Sequence, residues 1–526
     1  MNLTIDPWIP VIGTDGRQRL VSLHDLFATA HEIRDLAVKP HEKIALLRLL
    51  ICITQAALDG PADIDAWETC RTSIQPGVKA YLEKWHASFE LFGDGPRFLQ
   101  VSGLKIRGKD GGLSTTTKID LSLSAGNTAT LFDNAGGGER SVRHARSALN
   151  LLSFQCFSPG GLIGIADWNG KATPGDGKSK HAPCTPASML HTFLMGRCVL
   201  ETLCLNLITK EMALDLPGSG WGSPVWEKSL EGSIDAEAVK NATTSYLGRL
   251  VPISRSIRLD EGGYDTILGN GLHYPLYPVY RETHATFITD TDAKGKSEIT
   301  PLGLSLDRSL WRQLASITIK KRATNDPISG PLPLSKMDGS SSVSLWIGAL
   351  STKQAKIKDL VESVYDIPAG MFRDTGRKLY EEGVNLAEQS AQMLNRSVIV
   401  YWTLRTRQSK EGNDIWQLFN NSSRSDKEHL RELGDRSEPY FWTLIEQHVP
   451  ILLTLADKPE QAGDLKVSEW GKRVKEAAHA AFEFACPHQI PRQIQAYAIG
   501  LQQLFLPKPK DPNAPAKKKV PAKKKS

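Results

Sequence analysis

The spacing of apolar residues in the first 350 positions predicts strands and helices mixed along the chain. Residues 3–11 alternate like a strand, the turn residues 14–16 follow, and Leu20 and Val21 resume the alternation, which predicts a hairpin. Ser22 is placed to cap a short helix that ends near Phe27. Helical spacing predicts longer helices over about residues 41–58, 80–92, 141–157 and 186–208. Strand-like alternation dominates residues 245–330.

Helical spacing dominates from about residue 354 to residue 506. One apolar row repeats every seven residues, and a second row lies beside it, so that the two form a seam about four heptads long. The rows are Leu379, Leu386, Met393 and Val400, and Tyr380, Ala387, Leu394 and Tyr401. Later helices cover about residues 425–456, 464–485 and 489–505. Long helices with short joints predict an antiparallel four-helix bundle.

The start of this helical region carries a capping signal. Ser351 stands three positions before Gln354, which is the spacing of a capping box. Apolar residues at helical spacing follow between positions 357 and 364. The pattern therefore favours an amphipathic helix that begins near Ser351.

Together these patterns predict an α+β fold in three parts. Residues 1–365 form a large mixed α/β N-terminal domain, and residues 366–506 form the four-helix bundle. Residues 507–526 are Pro/Ala/Lys low complexity and are predicted to be disordered. The chain shows no internal repeat.

The net charge of +6 is concentrated in that tail. Residues 507–526 hold eight lysines and one acid, Asp511, a charge of +7, which leaves −1 for residues 1–506. Net charge therefore does not indicate what the folded body binds. We expect the tail to add a salt-sensitive attraction to nucleic acid that is independent of sequence.

Several classes of protein are excluded by the sequence. The chain has no apolar run of about 18 residues that could span a membrane. Residues 1–11 contain Asp6 and no basic side chain, unlike a signal peptide. The seven cysteines form no CxxC pair and lie mostly among apolar residues, which is typical of free thiols in the reducing cytoplasm.

Catalytic and metal-binding motifs are incomplete. Residues 172–179 (ATPGDGKS) resemble a phosphate-binding loop, but Ala172 replaces its first glycine, and Pro183 opposes the helix that should follow Lys178. A nucleotide-dependent hydrolase or phosphotransferase built on the 170–186 loop is the alternative function.

The doublet His24-Asp25 lacks further ligands for a metal-dependent phosphohydrolase. No cofactor or metal is predicted, since the possible zinc ligands lack paired spacing; they are His181, Cys184, His191, Cys198 and Cys204.

One loop has the composition of a nucleic-acid contact. Residues 127–140 (NTATLFDNAGGGER) are polar and glycine-rich, yet they carry Leu131 and Phe132. An aromatic side chain in such a loop can stack on a base while asparagine and backbone amides bind base edges or phosphates. The alternative is a compact loop that folds Phe132 back onto its own core.

Motifs in order along residues 1–506 resemble the CasA family, the large subunit of the type I-E CRISPR surveillance complex, Cascade. They are NLTIDPWIPV at 2–11, GNTATLFDN at 126–134, LLSFQCFSPGG at 151–161 and Asn270-Gly271-Leu272, followed by the helical last third. The resemblance implies a mixed α/β domain with a four-helix bundle and a non-catalytic role. It also implies recognition of the PAM in double-stranded DNA, opening of the duplex and recruitment of the helicase–nuclease.

The resemblance assigns expected roles to individual residues. Gln354 falls on the glutamine of the family's DNA-opening wedge, with Lys353 before it and Ala355 after it. Phe132 and Asn134 fall on the loop near the 5′ handle of the guide RNA and the PAM. Pro159, Gly160, Gly161 and Gly164 correspond to the glycine loop that faces the PAM, since backbone without side chains can approach the minor-groove floor. Tyr264 stands near the position of the family's minor-groove lysine, which has no match. The implied partners are the other Cascade subunits, the guide RNA, target DNA and the helicase–nuclease, with no membrane.

Overall fold

A computed structural model describes most of the chain. The described residues are 1–123, 142–157, 163–175, 188–214, 216, 220–230, 232, 235–274, 282–291, 295–320, 328–353, 356–406 and 415–505. The chain divides into two compact units, Met1–Phe372 and Arg373–Ser526.

The first unit mixes strands and helices. Its strands are β1 (Ile9–Gly13), β2 (Gln18–Val21), β3 (Ile33–Leu36), β4 (Leu104–Lys105), β5 (Leu113–Thr115), β6 (Asp167–Trp168), β7 (Lys171–Ala172), β8 (His191–Met195), β9 (Arg255–Leu259), β10 (Asp265–Asn270), β11 (Phe287–Thr291), β12 (Ser297–Pro301), β13 (Val343–Lys353) and β14 (Lys356–Ile367). Its helices are α1 (Leu23–Ala28), α2 (Pro40–Leu58), α3 (Ile64–Thr69), α4 (Arg71–Lys84), α5 (His144–Phe157), α6 (Val199–Asn206), α7 (Lys210–Leu214), α8 (Ala236–Thr244), α9 (Tyr246–Leu250) and α10 (Leu314–Ile317).

The strands pair in small antiparallel sheets around a helical core. The strand orders are β2-β1-β3, β5-β10-β9, β11-β12, β14-β13-β8 and β4-β6-β7. Helix α2 lies at the centre of this unit, where it packs against α4, α5, α6, α9 and the hairpin β13–β14. Every residue of α2 from His41 to Gln55 is buried, so this helix is covered on all sides, as its largely apolar sequence indicates.

The region after residue 353 is a strand, and the helix predicted there is wrong. Strand β14 pairs with β13 from Lys356 to Ile367. The apolar residues between positions 357 and 364 fit the spacing of a helix and also that of a strand. Val364 is 61% exposed while Ile357 is 5% exposed, so the two do not share a buried helical face. Pairing with β13 determines the outcome, because β-branched side chains fit a pleated surface well.

The helix predicted over residues 186–208 is also wrong in its first half. Strand β8 and helix α6 replace it, and Gly196 lies between them, where an added Cβ would lie 2.3 Å from Glu201 Cβ. Strand β8 pairs with β13 about 150 residues further along the chain, at pairs such as His191 with Gly348. Such distant pairing leaves no local periodic signal.

The second unit is helical, as predicted, and the α+β fold class is confirmed. Its helices are α11 (Asp374–Thr406), α12 (Ile415–Asn420), α13 (Arg424–Glu446), α14 (Val449–Asp457), α15 (Glu469–Ala485) and α16 (Pro491–Phe505). Helix α11 packs against α13, α15 and α16, and α13 packs against α15. The row Tyr380, Ala387, Leu394 and Tyr401 is buried, whereas Leu379, Leu386 and Met393 are only half-buried.

The apolar helices of both units are too short or too polar to cross a bilayer. Within the described ranges, no helix has the length and hydropathy that a membrane span requires.

Candidate nucleic-acid interface

Most of the predicted contact residues lie outside the described residues. These are Phe132, Asn134, Pro159, Gly160, Gly161, Gln354 and Ala355. The backbone of Lys353 and the whole of Gly164 are described. The geometry of the candidate interface therefore comes from the segments that flank the predicted loops.

The hairpin β13–β14 is long and closes on two residues. Its strands pair from Val343–Ile367 up to Lys353–Lys356, and only Gln354 and Ala355 separate those last partners along the chain. Strand β8 pairs with β13 only up to Gly348, so the last five residues of β13 extend beyond its neighbour. The register shifts between Ser351 and Thr352, which places a bulge close to this end of the hairpin.

The base of the hairpin is held by helix α2. Lys43 Nζ lies 4.9 Å from a ring centroid of Trp346 on β13, and it also binds Asp35 at 2.6 Å. The indole Nε1 of Trp346 donates to Glu362 on β14 at 2.8 Å. The Trp346 side chain thus connects α2 to both strands.

The two ends of the 124–141 segment are held together by a partly buried ion pair. Arg146, just after this segment, binds Asp120, just before it, at 3.2 Å. Arg146 also binds Glu42 in the first turn of α2 at 2.6 Å, and Lys39 donates to Ser122. Burial alone would raise the pKa of Asp120, but Arg146 and the hydrogen bonds from Ser122 outweigh it and hold the pKa below its ordinary value.

The ring of Phe157, the last residue before segment 158–162, lies between two buried histidines. Its centroid is 6.4 Å from that of His41 in α2 and 6.0 Å from that of His191 in β8. Burial lowers the pKa of His41 to about 4 and the pKa of His191 to about 3, so both are neutral at pH 7. Lys39, directly before α2, and His41, Glu42 and Lys43 in its first turn therefore contact a segment that flanks each of the three predicted loops.

Gly164 is exposed on one side and packed on the other. A Cβ added there would lie 3.0 Å from Gly112 N, and Gly112 itself has a φ of +87° and packs on Ala166. Close contact between the two backbones is thus one reason for glycine at position 164. The same lack of a side chain leaves the exposed backbone open to a partner.

Tyr264 lies in the turn between β9 and β10 and is 53% exposed. The adjacent Gly263 accepts a hydrogen bond at 3.0 Å from the amide of Val142, which directly follows the 124–141 segment. His144 Nε2 lies 3.0 Å from the carbonyl oxygen of Glu261 in the same turn. The structure thus brings an exposed aromatic side chain next to the end of the predicted guide and PAM loop.

The described part of the 170–186 loop does not begin a helix. Lys171 and Ala172 form strand β7, paired with β6, and Thr173 Oγ1 accepts from the amide of Ala166 at 2.9 Å. Lys178, His181 and Cys184 lie outside the described residues. In the part of the chain that the structure describes, no three His, Cys, Asp or Glu side chains cluster as metal ligands would.

Sequence reasoning missed the polar first turn of α2 as a common anchor. His41, Glu42 and Lys43 are at most 4% exposed, whereas a helix start is ordinarily solvated. Charged residues directly before a long apolar run were the available signal. Their partners lie at positions 35, 146, 157 and 346, and no spacing rule connects those positions.

The chain is similar to a set of CRISPR-associated proteins. It matches the family described as CRISPR-associated protein Cse1 over residues 2–481. The CRISPR-associated protein CasA/Cse1 of Thermus thermophilus is 29% identical over 413 residues, covering 75% of this chain and 76% of that protein.

Solved structures share the fold at lower identity. Cse1 from Acidimicrobium ferrooxidans superposes with a TM-score of 0.74 at 20% identity, covering 96% of each chain. CasA (Cse1) of Thermus thermophilus gives 0.69 at 21% identity, covering 96% of this chain and 98% of that one. A chain of a solved CRISPR RNA-guided surveillance complex gives 0.67 at 17% identity, covering 96% and 99%.

Proposed function

This chain belongs to the CRISPR-associated Cse1 family, and from that membership we propose that it is the large, non-catalytic subunit of a type I-E Cascade complex. In this role it recognises the PAM in double-stranded DNA and opens the duplex so that the guide RNA can pair. Base pairing then reads the target sequence, while the protein reads only the short PAM. Support comes from the similarity to a chain of an RNA-guided surveillance complex.

The hairpin β13–β14 carries the proposal for duplex opening. Its end extends five residues beyond β8 and closes on Gln354 and Ala355, while its base is held by α2 through Trp346. A wedge must keep its position while it separates stacked bases at a cost of a few kcal/mol. Pairing of the guide and contacts with the DNA backbone offset that cost.

The flanking loops supply PAM and guide contacts in this proposal. Gly160, Gly161 and Gly164 present backbone to the minor groove, and Tyr264 lies beside the end of the 124–141 segment. Phe132 and Asn134 contact the 5′ handle of the guide. Minor-groove readout distinguishes few base pairs, so we expect tolerance of several PAM sequences.

The remaining partners follow from the same assignment. The subunit binds the other Cascade subunits and, once the target strand has paired with the guide, helps to recruit the helicase–nuclease that degrades the DNA. The chemistry of target degradation therefore resides in that partner.

Replacement of the wedge glutamine tests the proposal. Gln354→Ala in the assembled complex should slow opening of a duplex target about tenfold or more, because the side chain that separates the first base step is lost. Permanganate reactivity of thymines next to the PAM measures the opening. Gln18→Ala, an exposed glutamine on β2, is the matched control. Assembly of the complex should not change in either variant. An unaltered opening rate in Gln354→Ala would contradict the wedge.

A further inference from the structure

Ser188 connects two parts of the candidate interface. It directly follows the 176–187 segment and precedes β8. Its carbonyl oxygen accepts from the amide of Leu304 at 2.7 Å, and the next residue, Met189, forms a bridge with Gly303. The backbone around Ser188 is thus fixed on the side that faces residues 303–304.

The Ser188 side chain binds the end of β13. Its hydroxyl donates to the carbonyl oxygen of Thr352 at 3.1 Å and accepts from the amide of Thr352 at 2.9 Å. One hydroxyl can do both, since it carries one donor and two acceptor lone pairs. Strand β8 no longer pairs with β13 at this level, so the hydroxyl takes the place of a neighbouring strand.

The contact between Ser188 and Thr352 lies where it can fix the direction of the end of hairpin β13–β14. Thr352 is the residue at which the register of β13 and β14 shifts, one position before Lys353. A bulge locally disrupts the ladder and lets a hairpin bend, so the segment beyond it needs another support to keep its direction.

The backbone of Ser188 is in a strained conformation. Its φ is +59°, in the left-handed region that residues other than glycine rarely adopt. Such strain persists only where the surroundings impose it, and it occurs preferentially at functional positions. Glycine would relieve the strain but would remove the hydroxyl.

We propose that Ser188 is a positioning residue for duplex opening, because its hydroxyl locks the end of β13 and thereby directs the hairpin tip at the first base step. The inference rests on the proposed function of Gln354 as the wedge. It adds a residue about 160 positions away whose contact is with the main chain of the hairpin.

The test compares two DNA targets in the assembled complex with guide RNA. In one target the two DNA strands are fully paired. In the other, the two DNA strands are mismatched at the first positions beside the PAM, so the duplex there needs no opening, while the target strand still pairs with the guide RNA. Ser188→Gly and Ser188→Ala should slow R-loop formation on the paired target about tenfold, as expected from the loss of two hydrogen bonds. Both variants should form R-loops at the normal rate on the mismatched target.

Thr352→Ala is the matched control variant. The contact uses only the main chain of Thr352, so removing its side chain should leave opening of the paired target unchanged. Ser188→Ala keeps the Cβ and Ser188→Gly relieves the backbone strain, so agreement between them assigns the effect to the hydroxyl.

The outcomes separate this inference from the function on which it rests. A normal rate on the paired target in both Ser188 variants, with slow opening in Gln354→Ala, would overturn the positioning role alone. Equal slowing on both targets, or loss of the subunit from the complex, would also overturn it, since either indicates a merely structural role. Normal opening in Gln354→Ala as well would reject the wedge itself.

Discussion

The two units of the chain satisfy their buried polar groups in different ways. In the first unit, the buried Arg48 of α2 donates to the carbonyl oxygens of Arg249 and Leu250, at 2.9 and 2.7 Å, and pairs with Glu282. In the second unit, the buried polar side chains among the described residues are uncharged. Tyr401 and Trp470 donate to the carbonyl oxygens of Pro487 and Gly383. Four serine and threonine hydroxyls each donate to a carbonyl oxygen three or four positions earlier in the chain. They are Ser397, Thr403, Ser422 and Ser437.

This difference determines what each unit tolerates. A hydroxyl bound within its own helix carries no charge and depends on no distant segment. Arg48 depends on partners about 200 positions away, and a buried charge whose partner is removed is costly. The first unit is therefore more sensitive to loss of one polar contact, and the second to loss of apolar volume.

Loss of the buried arginine should have the largest effect. Arg48→Met leaves Glu282 without this cation and removes donors from two buried carbonyls, so we expect the first unit to lose about 3–5 kcal/mol of stability. Hydrogen exchange with mass spectrometry, read separately for peptides of each unit, measures this loss. Arg473→Met is the control, since Arg473 pairs with Glu469 and Glu476 at the surface of the second unit, where such pairs contribute about 1 kcal/mol or less. Equal losses of stability from Arg48→Met and Arg473→Met would contradict the greater sensitivity of the first unit to loss of a polar contact.

Truncation of the helical seam should have the next largest effect. Leu394 is 1% exposed and Met393 is half-buried, although both lie on adjacent heptad rows. Leu394→Ala should cost the second unit about 3 kcal/mol, and Met393→Ala clearly less, because only the first opens a closed cavity. Unfolding in denaturant, monitored by hydrogen exchange of peptides from α11, measures the loss of stability in each variant. A greater loss from Met393→Ala would show that the other row forms the core.

Acidification should affect the first unit through His41. Burial lowers the pKa of His41 from 6.5 to about 4, so the unfolded chain takes up this proton first. The stability that neutral His41 supports is complete above pH 6.5 and is lost as the pH falls from there towards 4. The loss at pH 5 is about 2 kcal/mol for this one group.

His41→Gln removes that titration and is the variant to compare with the natural chain. Stability of the first unit, measured between pH 7 and pH 5, should fall by about 2 kcal/mol less in the variant. The slope with pH is the readout, so a constant loss from the substitution itself does not affect the comparison. Identical slopes would exclude His41 as a source of acid sensitivity.

The candidate site shows the same division between local and distant contacts. Motif order along the chain identified the family, and the loops were placed by their position in those motifs. The contacts that hold their flanking segments were not predictable. Arg146 with Asp120 and Ser188 with Thr352 join residues 26 and 164 positions apart. Neither pair belongs to a motif or a periodic pattern.

The sequence by itself determined the α+β class, the central helix α2, the cap of α1 at Ser22 and the helical second unit. Each depends on contacts within a few positions, which leave a periodic or capping signal. The tertiary structure decided that residues 356–367 form a strand, that Tyr380 and Leu394 belong to the buried row, and that Ser188 binds β13. Strand pairing and the choice of a buried face depend on partners far along the chain, so local spacing cannot specify them.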